Sequence, residues 1–182
     1  MDKKKLNETL TLAYQNHKKN NLDIAEGLYE KVLKIDPNHF ETVFLLGSLL
    51  SQSKNFDRGK ALLYKASRIN PNSAKVQNNL GMVLEKLNEF EESINCYEKA
   101  IQIDPNFVKA YTNLGIILGE LNHVNEAKKY LEKSLNLDPN NKKTYECYGD
   151  LLLKLNQHRK ALAYLGKGTG FIRFTQNDFK II

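Results

Sequence analysis

The 182-residue sequence contains little cysteine: Cys96 and Cys147 are its only two thiols. Two thiols are too few for a disulfide framework, and no Cys or His pair has the spacing of a zinc site. The basic amino-terminal residues lack the apolar core of a signal peptide, and the longest nearly apolar run, Val43 to Leu50, is too short to cross a membrane. The sequence therefore predicts a cytoplasmic protein with no membrane segment, no metal site and no cofactor.

Arginine is also scarce, so lysine supplies most of the positive charge behind the formal net charge of +6. Lysine is poorer than arginine at bidentate recognition of phosphate or guanine. The amino-terminal lysines are interspersed with Asp2, Glu8 and Asp23, so they form no tract of a single sign. We therefore expect no nucleic-acid binding.

Proline is equally scarce, but its four copies are regularly placed. Pro37, Pro71, Pro105 and Pro139 follow one another at intervals of 34 residues, each between Asp or Asn and a following Asn. Proline disfavours the helical conformation in the residue before it, so each of these phrases ends a helix and opens a turn. The constant interval indicates an internal repeat.

Alignment on the prolines divides residues 1–170 into five repeats that share several columns of residues. The repeats are 6–39, 40–73, 74–107, 108–141 and 142–170. A small residue recurs in the first half of each repeat, as Ala13, Gly47, Gly81, Gly115 and Gly149, and another in the second half, as Ala25, Gly59, Ser93, Ala127 and Ala161. Between them a short turn contains Asn20, Lys54, Asn88, Asn122 or Asn156. A glycine inside a helix costs about 1 kcal/mol relative to alanine, so its recurrence indicates that paired helices approach closely.

Together these columns resemble the tetratricopeptide repeat, and the match covers nearly the whole chain. The resemblance implies an all-α fold: a right-handed α-α superhelical solenoid of five helix pairs, with first helices on the concave side and second helices on the convex side. Segments such as Asn79–Gly81 and Tyr97–Ile101 are similar to the repeats of O-linked N-acetylglucosamine transferases and their bacterial relatives.

Catalytic motifs are not evident in the sequence. The four histidines, His17, His39, His123 and His158, have no second histidine or carboxylate at metal-binding spacing. The glycine-rich segment 166–170 lacks the spacing of a phosphate-binding loop and follows a predicted helix, so we interpret it as the end of that helix. We expect no enzymatic activity in these residues.

The family geometry implies a binding groove formed by positions two, five, six and nine of the first helices. The candidate residues are Lys75, Asn78, Asn79, Met82, Lys109, Thr112, Asn113, Ile116 and Lys143. An asparagine amide both donates and accepts, so Asn79 and Asn113 are expected to bind the main chain of an extended peptide. The lysines are either solvated residues at an edge or favourable partners for an acidic ligand, each exposed contact contributing about 1 kcal/mol or less.

The leading hypothesis is a non-catalytic scaffold that binds a protein or peptide in this groove. The alternative is the substrate-recruiting arm of a larger enzyme, such as a glycosyltransferase-like protein whose chain continues beyond Ile182. Residues 171–182 alternate apolar and polar side chains and predict an extended tail. That tail is expected to pack its aromatic residues on the last helix pair, or to pair with a second copy of the chain or with a further domain.

Overall fold

The computed structural model describes residues 3–170, 172–174 and 179–181, and nearly all of the first range is helical. Within these described residues, ten helices follow one another as five helix-turn-helix pairs, which confirms the predicted all-α architecture. The helices are α1 (Lys3–Lys18), α2 (Leu22–Ile35), α3 (Phe40–Gln52), α4 (Phe56–Ile69), α5 (Ala74–Lys86), α6 (Phe90–Ile103), α7 (Val108–Glu120), α8 (Val124–Leu137), α9 (Lys142–Lys154) and α10 (His158–Thr169).

The turn inside each pair depends on one residue in the left-handed conformation. These residues have φ angles of 56° to 64° and are Asn20, Lys54, Asn88, Asn122 and Asn156. The residue after each of them donates its backbone N–H to the carbonyl five positions earlier, at 2.8 to 2.9 Å. This bond is typical of a helix end closed by a left-handed residue, and asparagine tolerates that conformation better than most residues. The predicted turn positions are therefore confirmed.

The turn between successive pairs is closed by the residue before each proline. The Asp36 carboxylate accepts a hydrogen bond from the backbone N–H of Asn38 at 3.1 Å. The same contact joins Asn70 to Asn72, Asp104 to Asn106 and Asp138 to Asn140. Because a short Asp or Asn side chain can accept from the backbone two residues ahead, the recurring Asp/Asn-Pro-Asn phrase forms a turn at each site.

The recurrent glycines lie where paired helices touch. A Cβ added to Gly81 would lie 2.7 Å from the ring of Tyr97, and one added to Gly115 would lie 2.6 Å from Leu131 Cγ. Gly27, by contrast, has no neighbouring atom within 4 Å of such a Cβ. The predicted close approach of first and second helices is therefore confirmed at Gly81 and Gly115.

The chain forms two compact units, which meet in sequence between Ile103 and Asp104. In the first unit, α1 to α6 pack in sequence-adjacent layers, and Leu46 of the second repeat packs against Ala13, Ala25 and Tyr29 of the first. A second cluster includes Leu63, Leu80, Val83, Leu84 and Cys96. Each repeat of this unit thus buries its apolar face against a neighbour, as expected of repeat architectures.

The second unit contains α7 to α10 and a buried trio of hydroxyl groups. Thr112 Oγ1 lies 2.8 Å from both Ser134 Oγ and Thr144 Oγ1, and the latter two oxygens are 3.0 Å apart. The three hydroxyls satisfy one another where α7, α8 and α9 meet, which removes the cost of burying them unpaired.

The described part of the tail is extended, as predicted. Strand β1 (Ile172–Phe174) pairs antiparallel with β2 (Phe179–Ile181), with Arg173 opposite Lys180. The predicted packing of the tail's aromatic side chains lies outside the described residues. Helix α10 continues through Gly166 and Gly168, and only Gly170, with φ of 101°, has the backbone conformation that ends it.

Candidate functional site

A cleft of about 380 Å³ opens between α3 and α5 in the first unit. These are the first helices of the second and third repeats, so the cleft lies on the helices for which the family geometry predicts a groove. Its lining combines small hydroxyl residues, amides and apolar side chains: Ser48, Ser51, Gln52, Phe56, Asn79, Met82, Val83 and Lys86.

Asn79 is held in a fixed orientation at one side of this cleft. Its Nδ2 donates to Ser48 Oγ at 2.9 Å, and Ser48 Oγ in turn donates to the carbonyl of Phe44 at 2.9 Å. The Asn79 Oδ1 atom accepts from Asn78 Nδ2 at 3.3 Å. A primary amide has two N–H groups and two acceptor positions, so these contacts leave Asn79 able to bind a ligand as well.

Apolar surface accompanies this amide. The Met82 side chain is 47% exposed, while Val83 on the same helix is buried. Phe56 also lines the cleft and packs against the core cluster that contains Leu63 and Leu84. Methionine is unbranched and polarisable, so an exposed Met82 beside a rigid apolar wall can adapt to ligands of different shape.

An ion pair lies at the Lys86 edge of the cleft. Lys86 Nζ is 3.0 Å from Glu85 Oε1, and the other carboxylate oxygen of Glu85 accepts a hydrogen bond from the Tyr97 hydroxyl at 3.1 Å. Burial, together with the nearby Glu85 charge, raises the pKa of Tyr97. Tyr97 therefore stays a neutral donor and fixes the carboxylate that faces Lys86.

A second cleft, of about 320 Å³, lies between α7 and α9 in the second unit. It is lined by Gly115, Ile116, Gly119, Glu120, Leu131, Cys147, Asp150, Leu151 and Lys154. Lys154 Nζ donates to the carbonyl of Gly119 at 3.4 Å, near the carboxyl end of α7, where a cation is favourable. Burial raises the pKa of the Cys147 thiol, against the opposing effect of Lys143, so little thiolate forms at neutral pH.

Models of the tetratricopeptide repeat match residues 17–87, 74–107, 96–129 and 130–163. The chain belongs to the tetratricopeptide-repeat family. No curated protein matches this tetratricopeptide-repeat (TPR) protein in sequence.

Solved structures share the fold of the TPR protein at low sequence identity. PilF of Pseudomonas aeruginosa is 24% identical with a TM-score of 0.81, covering 91% of this chain and 77% of that chain. A crystal structure of MamA is 23% identical with a TM-score of 0.76, covering 90% and 89%. MamA from Desulfovibrio magneticus RS-1, residue 41 to the end, is 18% identical with a TM-score of 0.79, covering 90% and 93%. The closer similarity to glycosyltransferase repeats stays a prediction.

The predicted groove residues lie in clearly different settings. In the first unit, Asn79 and Met82 line the α3/α5 cleft, and Lys75 is exposed on α5. In the second unit, Ile116 lines the α7/α9 cleft and Asn113 is half-buried on α7. Lys109 and Lys143 are exposed at the starts of their helices.

Asn78 and Thr112 are buried, so the expectation that both face an open groove is wrong. Asn78 is only 2% exposed, and its Nδ2 donates to Asn79 Oδ1 at 3.3 Å and to the Met82 Sδ atom at 3.5 Å. Thr112 is covered because its hydroxyl joins the buried trio with Ser134 and Thr144. In α5 and α7, the residue at position five is therefore part of the packed interior.

Sequence reasoning missed the residues that close each cleft at the last turn of the first helices. Gln52, Lys86, Glu120 and Lys154 occupy equivalent positions in four repeats, and all four line a cleft. The signal was available in the alignment, because these polar residues fall one helical turn after position nine.

The described residues contain neither a candidate metal site nor a candidate membrane-spanning helix. Across that part of the chain, no group of three His, Cys, Asp or Glu side chains could hold a metal ion. No helix described there is long and apolar enough to cross a membrane.

Proposed function

We propose that the TPR protein is a non-catalytic scaffold that binds an extended segment of a partner protein in the α3/α5 cleft. The observation that carries this proposal is the pairing of an oriented amide, Asn79, with an exposed apolar side chain, Met82, in one cleft of the first unit. Ligand sites of this kind join an apolar surface to a few fixed polar groups.

In this proposal the cleft binds a partner through two kinds of contact. An apolar side chain of the partner packs against Met82, Val83 and Phe56. The main chain of the same segment bonds to Asn79, which gives affinity that does not depend on the partner's sequence. The exposed Lys75 favours acidic residues in the segment.

The second unit contributes to binding through its own first helices. We assign Asn113 and Ile116 to this contact, with Lys109 and Lys143 as cations for an acidic partner. Asn113 and Ile116 occupy the same repeat positions as Asn79 and Met82, respectively. This repetition supports the assignment.

The thiols support a binding role over a catalytic one. Cys96 is buried, and burial raises its pKa to about 11. With the pKa of Cys147 raised as well, neither residue has the thiolate character of a nucleophile. Both cysteines are free, and a cytoplasmic location, where thiols stay reduced, forms part of the proposal.

The experiment is a peptide array that varies apolar and acidic content, followed by calorimetric titration of the tightest peptide. Asn79→Ala should weaken binding by about 0.5 to 1.5 kcal/mol, the net worth of one hydrogen bond. The double variant with Met82→Ala should weaken it further. The control carries Asn95→Ala and Ile69→Ala, an exposed amide and an exposed apolar residue on second helices. Equal affinities in the double variant and the control would exclude this cleft.

A further inference from the structure

The amino-terminal repeat exposes two large apolar side chains that later repeats do not expose. Leu12 on α1 is 49% exposed and Ile24 on α2 is 57% exposed. The residues equivalent to Leu12 are each 3% exposed or less: Leu46, Leu80, Leu114 and Tyr148. In the first unit Leu46 is buried because it packs on the preceding repeat. Leu12 therefore lies on the surface that, in the second repeat, packs against the preceding helix pair.

Ile24 occupies a position that makes contacts with the preceding repeat elsewhere in the first unit. Its equivalent, Arg58, donates to Glu26 at 2.8 Å and to Glu30 at 3.0 Å. The next equivalent, Glu92, accepts from the Tyr64 hydroxyl of the preceding repeat at 2.7 Å. At this position the first repeat carries an apolar side chain where these repeats carry a charge.

The last helix pair carries the matching change at its own equivalent positions. Leu162 and Gly166 are the equivalents of Glu26 and Glu30 of the first repeat. Both charged residues are thus replaced by uncharged ones. Gly166 has open space around it, since an added Cβ would meet no atom within 4 Å. Leu165 is half-buried, whereas its equivalent Tyr29 is fully buried. At these two positions the last helix pair therefore carries uncharged residues in register with Ile24.

Lys18 of the first repeat also occupies a position that contacts the preceding repeat elsewhere in the chain. Lys154 donates to the carbonyl of Gly119 on the first helix of the preceding repeat, and the equivalent of Lys154 in the first repeat is the exposed Lys18. The equivalent of Gly119 in the last repeat is Leu153, near the carboxyl end of α9. The negative end of that helix dipole suits a lysine.

We propose that the amino-terminal surface around Leu12 and Ile24 docks on the last helix pair of a second copy of this chain. The contact copies the interface between adjacent repeats, with Ile24 against Leu162 and Gly166 in place of Arg58 against Glu26 and Glu30. Because the two surfaces differ, the association is head-to-tail and extends as an open series. The site is separate from the α3/α5 cleft, so it does not depend on the proposed peptide binding.

The first test measures the mass of the full chain by sedimentation velocity and light scattering over a concentration series. The average mass should rise with concentration past that of a dimer. Ile24→Arg should lower the association constant at least about tenfold, because it buries an unpaired charge. Ile69→Arg, the matched change at an exposed apolar residue of the second repeat, should leave it unchanged.

The second test restores the charge pair across the two copies. Gly166→Glu alone should also weaken association, and the open space around Gly166 leaves room for the new side chain in the monomer. The variant carrying both Ile24→Arg and Gly166→Glu should associate again, and added salt should weaken it more than the original chain. Circular dichroism serves to check that each variant remains helical.

Three results would overturn the proposal. The first is a chain that stays monomeric over the whole concentration series. The second is association that Ile24→Arg leaves intact. The third is a double variant that remains helical and still fails to associate.

Discussion

The α3/α5 and α7/α9 clefts occupy equivalent places in the repeat but differ in chemistry. Where the first has Ser48 and Asn79, the second has Ile116 and Cys147. Met82 in the first is replaced by Asp150 in the second. The shared placement follows from the repeat, whose columns fix where first helices separate. The variable positions then decide what each cleft can bind.

We therefore expect the two clefts to favour different parts of a ligand. The first combines an amide with exposed apolar surface, which suits an apolar side chain of an extended peptide. In the second, Glu120 and Asp150 are exposed and Lys154 is bonded to a helix end. An apolar side chain would have to desolvate those carboxylates, which is costly.

The largest effect is expected from substitutions that push apart the helices supporting each cleft. Gly81→Ala and Gly115→Ala should each destabilise the fold by about 1 to 3 kcal/mol, because the added Cβ overlaps Tyr97 or Leu131. Gly27→Ala is the control, and it should stabilise by about 0.5 to 1 kcal/mol through helix propensity alone. Urea denaturation followed by circular dichroism measures all three. If the three variants were equally stable, the glycine column would not mark close helix contacts.

A smaller effect on the free energy of unfolding is expected from Cys96, the buried thiol of the first unit. Burial raises the pKa of Cys96 from 9.0 to about 11, so the unfolded chain loses this proton first as the pH rises. The folded state then binds more protons than the unfolded state, and the free energy of unfolding falls between about pH 9 and about pH 11. The loss should reach about 1 kcal/mol at about pH 10.

The control for this prediction is Cys96→Ala, measured by denaturation at about pH 8 and about pH 10. The variant should lose less stability between the two pH values than the original chain. Half-buried Cys147 should also react with iodoacetamide faster than buried Cys96 in the native protein. Faster labelling of Cys96 than of Cys147 would contradict the burial that the structure gives for the two thiols.

The repeat columns were sufficient to predict the helices, because each column has a local cause. Proline, asparagine and glycine act on the backbone within a few residues, so Pro37, Asn20 and Gly81 locate turns and close contacts without knowledge of distant neighbours. Helix α1 begins at Lys3, slightly before the predicted start of the first repeat.

The exposure of site residues could not be predicted in the same way, because it depends on side chains of other helices. Thr112 of α7 is buried against Ser134 of α8 and Thr144 of α9, which are distant in the sequence. Phe56 of α4 reaches the α3/α5 cleft only once the helices are packed. The columns located the candidate site, and packing decided which of its members are open.

The most direct measurement of the proposed function is a nuclear magnetic resonance titration of the labelled full chain with the array-selected peptide. We expect the side-chain amide resonance of Asn79 and the methyl resonance of Met82 to shift progressively with added peptide, while the amide resonance of Asn95 does not move. Large shifts elsewhere, with Asn79 and Met82 unchanged at saturation, would contradict the proposed function.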